Sequence, residues 1–242
     1  MNAIKILFED DNYLIIDKPS GVMAHSDGRA GVLGVTDWLA QKYPALENIG
    51  GEVEVQHGEP VKRWGLAHRI DRETSGVLVV AKNQAAFDDL QEKFQTRKVK
   101  KVYRAFVYGR VTVDHQVVES PIGRSKTDFR RWSTGTDTRG VMREAATEYR
   151  VVHKTDEVTF VEVMPKTGRT HQIRVHLRSI GNPIVCDDVY APLRKGVLGF
   201  DRLALHAQSI SFKSLSGEPI SVLAPYPSDF VKAMEMLRIV AK

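Results

Sequence analysis

The first apolar runs along the chain are short and come in pairs. Residues 4–8 (IKILF) and 13–17 (YLIID) are β-rich, are parted by an acidic turn and are closed by Pro19 and Gly21, which predicts an opening hairpin. Thr36 stands where a helix cap belongs, ahead of Trp38, Leu39 and Lys42, and Pro44 ends that short helix. Residues 45–64 carry three glycines and few periodic apolar positions, a pattern that reads as a long surface loop. Residues 76–82 (GVLVVAK) predict a buried strand. NQAAFDDLQEKFQ then sets Ala86, Phe87, Leu90 and Phe94 at helical spacing behind an Asn83 cap.

Beyond Val99 the alternation of VKKVYRAFVYGRV predicts a long strand, and ATEYRVVHK with VTFVEVMPK predicts an antiparallel pair turned by TDE. Between them lies GRSKTDFRRWSTGTDTRG, rich in Arg, Gly, Ser and Thr, which reads either as a mobile loop or as a binding arm. In TGRTHQIRVHLRSIGNP, Ile173, His176, Leu177 and Ile180 follow the i, i+3, i+4, i+7 rule, with Thr170 as cap and Gly181 as stop, so helix is preferred over strand. Strands near residues 204–212 and 219–223 and a helix from Ser228 complete the chain. The sum is an α+β fold with a mixed, mostly antiparallel sheet flanked by helices. No repeat or linker marks a boundary, so residues 1–242 are expected to form a single domain.

The 242 residues, 42% hydrophobic, are enough to bury a sizeable core. The balance of 35 Lys and Arg against 30 Asp and Glu leaves a net charge of +5, a mild basicity that suits a polyanionic partner. The single cysteine, Cys186, excludes an internal disulfide and any multi-cysteine metal site, and points to a reducing compartment. No signal core opens the sequence, and no stretch approaches the roughly 20 apolar residues of a membrane span, so a cytoplasmic protein is expected.

Several chemistries lack their motifs. His171 and His176 are five apart, not the i, i+4 pair of zinc proteases. Neither a Walker A order nor G-x-G-x-x-G occurs, and Ser75 is not in a G-x-S-x-G elbow. No metal and no cofactor is expected. Asp187 and Asp188, adjacent in a loop, read as solvated turn residues. AHRIDRETSG, residues 67–76, is harder to dismiss, because it crowds charge against the approach to a buried strand. Asp71 there is either a turn residue between solvated arginines, or a carboxylate kept ionised by a cation and available as nucleophile or base. Arg174, with Arg169 and Arg178 nearby in sequence, is the candidate cation. Tyr103 alone reads as a half-buried strand tyrosine.

HRIDRETSG resembles the signature around the catalytic aspartate of the RluA-like (large ribosomal subunit) family of RNA pseudouridine synthases. DKPSGVMAH, KKVYRAFVYG, KTGRTHQIRVHL and RLALHA resemble further motifs of that family in the same order. The resemblance implies a pseudouridine synthase fold with a central active-site cleft and an isomerase that needs no cofactor. Asp71 would be the catalytic nucleophile or base, Arg174 its ion-pair partner and Tyr103 the aromatic stacked on the target base. Arg69 would help to expel the uridine and fill its place. His68, Arg72, Thr74, Arg169, His171, Ile173 and His206 join Arg69 as the substrate-binding set. The partner would be ribosomal or transfer RNA, with no membrane, no obligate protein partner and a monomeric state.

The chain departs from the family pattern where CDDVYA replaces G-D-x-x-Y-G, so that Cys186 and Ala191 stand for glycines and the local backbone is expected to differ. It also starts at the first motif, so no N-terminal accessory RNA-binding domain is expected. Lys98, Lys100, Lys101, Arg124, Lys126, Arg130 and Arg131 are candidate phosphate contacts, and the segment 124–143 is expected to order on RNA. A non-catalytic RNA-binding module and a glycoside or phosphodiester hydrolase are the rival classes. The intact Asp71, Tyr103 and Arg174 set opposes the first, and the lack of a second placed carboxylate or a metal cluster opposes the second.

Overall fold

The computed structural model describes residues 4–26, 34–53 and 60–240. The chain divides into two compact units, Met1–Lys100 with Ala207–Pro225, and Lys101–His206 with Tyr226–Lys242.

In the first unit the expected hairpin is β1 (Lys5–Glu9) and β2 (Tyr13–Lys18), paired antiparallel. Asp10 shapes its turn by accepting the N–H groups of Asn12 at 2.8 Å and Tyr13 at 2.6 Å. Helix α1 (Val35–Lys42) is capped by Gly34 rather than by Thr36. Thr36 is drawn inside, where its hydroxyl accepts the Ser26 N–H at 3.0 Å, and Asp37 instead receives the Gly34 N–H at 2.6 Å. A tertiary partner thus overrides the local cap signal. The stretch read as a surface loop holds a 3₁₀ turn at Pro44–Leu46 and a small antiparallel pair, β3 (Glu52–Val53) with β4 (Val61–Lys62). Residues 54–59 of it lie outside the described residues.

β5 (Ser75–Ala81) and α2 (Gln84–Gln95) follow as expected, with Asn83 Oδ1 accepting the Ala86 N–H at 2.9 Å. β2 and β5 pair antiparallel, and their alternate residues enter two different cores. Tyr13, Ile15, Val77 and Val79 pack with Ala86, Phe87 and Leu90 of α2, whereas Leu14, Ile16, Leu78 and Val80 pack with Val35 and Leu39 of α1. Both faces are covered, so the strand reads as an uninterrupted apolar run.

The second unit contains most of β6 (Lys100–Tyr108), then β7 (His115–Glu119), β8 (Ile122–Ser125), β9 (Trp132–Thr134), β10 (Thr138–Arg143), β11 (Ala146–Lys154), β12 (Val158–Pro165) and helix α3 (Gln172–Ser179). Strands run in the order β6, β12, β11, β7, each pair antiparallel. Phe106 stacks on Phe160 at 4.4 Å, and Leu177 of α3 joins the same core. The segment read as a mobile loop or arm is a three-stranded antiparallel sheet, β10–β8–β9. Three contacts explain the difference. Arg124 covers the Trp132 ring at 4.6 Å, Ser125 Oγ donates to Asp137 at 3.1 Å, and the Tyr190 hydroxyl accepts the Trp132 N–H at 3.0 Å.

β13 (Leu205–Lys213), from Ala207 onward, belongs to the first unit and pairs antiparallel with β14 (Pro219–Leu223). Helix α4 (Ser228–Met236) returns to the second unit and sets Phe230, Ala233 and Met234 into its core. With four α-helices among the described residues and mostly antiparallel strands, the fold class is α+β as predicted.

Gly76 opens β5 with φ +111°, and a Cβ there would meet the Ala207 carbonyl oxygen at 2.1 Å. Gly76→Ala is therefore expected to lower stability by more than about 2 kcal/mol in urea unfolding. A loss under about 0.5 kcal/mol would contradict that packing.

Candidate active site

Chemistry-bearing residues occur in both units. In the first, Asp71 stands partly exposed at the start of a turn whose Thr74 N–H donates to the Asp71 carbonyl at 3.1 Å. The turn is fixed from beneath by Lys18, the last residue of β2. Its side chain is 0% exposed, and its ammonium donates to the carbonyls of Val22 at 2.7 Å, Pro19 at 2.9 Å and Arg72 at 3.0 Å. The Gly21 N–H also reaches the Arg72 carbonyl at 2.9 Å, and the Ser20 hydroxyl donates to the Glu73 carbonyl at 2.7 Å. DKPSG is therefore the seat of DRETSG, and burial of the ammonium is offset because its hydrogens meet carbonyl oxygens.

Around this turn the expected substrate contacts divide. Arg69 and Arg72 are exposed, the latter bound to Glu73 at 2.7 Å. His68 accepts the Val79 N–H on Nε2 at 3.0 Å, which places its proton on Nδ1, and its ring stacks on Phe94 at 4.5 Å. Thr74 is buried. His25, from the first motif, lies near Arg69 and Arg63, and burial together with those two guanidiniums pushes its imidazole down to about 4.

In the second unit Tyr103 lies on β6 opposite Val163 of β12, half-buried against the core. Lys101, two residues earlier and one of the candidate phosphate contacts, is partly buried. Burial pushes its ammonium down to about 8, and it donates to the Thr167 carbonyl at 3.4 Å. α3 starts from a left-handed His171, φ 55°, not from a Thr170 cap. Gln172 makes that start possible. Its Oε1 accepts the Thr167 hydroxyl at 2.6 Å and the Arg169 N–H at 3.0 Å, while its Nε2 donates to Ala146 at 3.0 Å and Thr147 at 2.9 Å. At the other end Gly181 and Asn182 close the helix on the Arg178 and Leu177 carbonyls, the expected glycine stop.

α3 brings Arg174 and its neighbours into place. Arg169 donates to the Glu144 carbonyl at 3.0 Å, His171 Nδ1 bonds the Tyr190 hydroxyl at 3.0 Å, and Ile173 lies in the core. His206 is buried beside Phe230 at 5.7 Å and Tyr226 at 6.1 Å. Arg174, buried, donates from Nε and Nη2 to the two carboxylate oxygens of Asp187, each at 2.8 Å. Asp187 is 1% exposed, which corrects its reading as a solvated turn residue; Asp188, its side chain 82% exposed, fits that reading in its exposure, although its Oδ1 lies 3.6 Å from Arg174 Nη2. Cys186 keeps a glycine-like left-handed backbone, φ 55°, so the substitution leaves the loop in the conformation a glycine would favour at a cost of about 1 kcal/mol. Its Sγ donates to the Phe200 carbonyl at 3.1 Å.

Lys18, Gln172, Asp187 and Tyr190 escape a reading of the sequence. Each acts through at least one partner distant along the chain, and their signal in the sequence is that Lys18 lies in DKPSGVMAH, Gln172 in KTGRTHQIRVHL, and Asp187 and Tyr190 in CDDVYA.

Residues 12–179 match the family model described as RNA pseudouridylate synthase. The chain belongs to the RNA pseudouridine synthase family. It is 34% identical to an uncharacterised RNA pseudouridine synthase of Bacillus subtilis, over 97% of this chain and 73% of the relative. It is also 34% identical to ribosomal large subunit pseudouridine synthase D of Zymomonas mobilis, over 98% and 73%. The solved structure of human RNA pseudouridylate synthase domain containing 4 superposes with a TM-score of 0.73 at 28% identity, covering 97% of this chain and 93% of that one. The synthase is accordingly an isomerase acting on RNA.

The neutral His25 of the synthase couples stability to pH. Above about 6.5 both folded and unfolded chains carry it neutral; as the pH falls toward 4 the unfolded chain takes a proton that the folded one refuses, and stability is lost. The loss is expected to reach about 2–3 kcal/mol by pH 4. Replacing His25 by Gln should flatten that part of the pH–stability curve measured by urea unfolding. Parallel curves for the two proteins would rule the coupling out.

Proposed function

We propose that the synthase converts specific uridines of large-subunit ribosomal RNA to pseudouridine, with Asp71 as nucleophile or base. The carrying observation is the Asp71 turn, which offers a partly exposed aspartate on a backbone fixed by Lys18. Ribosomal RNA is favoured over transfer RNA because relatives at 34% and 36% identity are named for the ribosomal large subunit. Action in the cytoplasm as a monomer belongs to the same reading.

The reaction breaks the N1–C1′ bond, turns the uracil and joins C5 to C1′, with the C5 proton released and no net oxidation. The uridine is flipped from its stack, at a cost of a few kcal/mol offset by stacking and phosphate contacts. Arg69 fills the vacated place and Tyr103 stacks on the base. Asp71 attacks C1′, adds to C6 or removes a proton to give a glycal, and all three routes need it ionised, which is the work assigned to Arg174 as its ion-pair partner. His68, Arg72, Thr74, Arg169, His171, Ile173 and His206 complete the proposed binding set, either by touching RNA or by holding the residues that do. Lys126, Arg130, Arg139 and Arg143, exposed on and beside the small sheet, supply phosphate contacts.

Tritium release from RNA labelled at uridine C5 tests the reading. The wild-type protein should release tritium, and Asp71→Asn should lower the rate by more than about 10³-fold while keeping its fold and its RNA affinity. Residual turnover within about tenfold of wild type would refute the role of Asp71. Pseudouridine mapping with and without the gene separates ribosomal from transfer RNA. Arg139→Gln with Arg143→Gln should weaken RNA binding and lower the salt slope of log K by about 2, with kcat at saturating RNA unchanged. An unchanged slope would remove that sheet from the interface.

A further inference from the structure

We propose that Asp187 is a positioning residue for the isomerisation: it sets the orientation of the Arg174 guanidinium. The inference rests on the reading of Arg174 as part of the catalytic set. Asp187 takes one whole edge of the guanidinium, Nε and Nη2, in a planar two-bond fork with both distances 2.8 Å. The fork fixes rotation of the guanidinium within its plane. Tyr190, three residues later, fixes the plane itself, with the Arg174 guanidinium carbon 5.1 Å from its ring centroid. The same short loop therefore supplies both constraints.

Asp187 is in turn immobilised. Its Oδ1 accepts the N–H groups of Tyr190 at 2.9 Å and Val189 at 3.0 Å, so the carboxylate that orients Arg174 also shapes the loop that presents Tyr190. The Tyr190 ring is held by its hydroxyl, which bonds His171 at 3.0 Å and accepts the Trp132 N–H at 3.0 Å. A guanidinium bound along Nε and Nη2 directs its opposite edge, Nη1 with the second Nη2 hydrogen, away from Asp187. A small rotation of that edge would change the field on a reacting carboxylate more than it would change the affinity for a long RNA held by many phosphate contacts.

The two functions of Asp187, orienting Arg174 and shaping the loop, are separable by kinetics. Pseudouridine formation under single-turnover and steady-state conditions is measured for Asp187→Asn, Arg174→Lys and the double variant, each checked for folding by circular dichroism. Asp187→Asn keeps an acceptor for the loop N–H groups but loses the charged fork, and should lower kcat by about 10- to 100-fold with KM within about threefold. In the Arg174→Lys background, which has no fork to orient, the same change should lower kcat by no more than about twofold. Independent effects that multiply in the double variant would overturn the inference alone. A wild-type kcat for Arg174→Lys would overturn the role of Arg174 and the inference with it. Should Asp187→Asn fail to fold, Asp187→Glu keeps the charge and shifts the fork by one methylene. It is expected to lower kcat by about tenfold at unchanged KM, and a wild-type kcat for it would equally overturn the proposal.

Discussion

A buried ammonium bound by backbone carbonyls is the constraint on which the first unit's chemistry depends. Lys18 lies at the end of a strand whose neighbours enter two apolar cores, a place where an unpaired charge would be expelled or neutralised. It is retained because three carbonyl oxygens, from Pro19, Val22 and Arg72, meet its three hydrogens. Two of those carbonyls belong to residues that follow Lys18 closely and the third to the residue after Asp71. One side chain therefore ties the first sequence motif to the aspartate motif, and the turn that carries Asp71 takes its position from the buried strand pair of its unit. The charges of HRIDRETSG crowd against a buried strand because the strand is their anchor, and Arg69 and Arg72 are left exposed.

The second unit solves a similar problem with a different group. Arg174 is buried on a helix, and its charge is balanced by a carboxylate more deeply buried than itself. Removing one member of such a pair leaves the other uncompensated, which makes the pair a strong determinant of local geometry whatever its net contribution to stability. Gln172 does for the start of α3 what Lys18 does for the Asp71 turn. It meets four polar partners at once and permits the left-handed entry at His171. In both units a polar side chain inside the protein holds the backbone of a motif whose own polar groups are turned to other work.

Local rules make part of this fold legible in the sequence. The opening hairpin, β5, α2 with its Asn83 cap, the β11–β12 pair and the glycine stop of α3 are dictated by neighbours within a few residues, and periodicity reports such neighbours faithfully. Thr36 and Thr170 mislead as caps because Thr36 finds a partner ten residues back and the entry to α3 is taken over by Gln172. The Arg-rich segment reads as irregular because what orders it, Arg124 on the Trp132 ring, Ser125 on Asp137 and the Tyr190 hydroxyl on the Trp132 N–H, is a matter of particular side-chain contacts rather than of strand propensity. Composition hides Asp187, since a pair of acids in a loop gives no sign of which one points inward. The family motifs locate the aspartate, tyrosine and arginine segments and also contain Lys18 and Gln172, but a motif does not say that these two side chains hold its backbone.

Hydrogen exchange at two amides tests the central constraint most directly. The Gly21 and Thr74 N–H groups donate to the Arg72 and Asp71 carbonyls, and both should be protected in the native protein despite lying in turns. In Lys18→Met their protection should fall by about tenfold or more while the amides within β5 keep theirs. Equal protection of Gly21 and Thr74 in the two proteins would mean that the turn carrying Asp71 stands without the lysine, and Lys18 would not be its anchor.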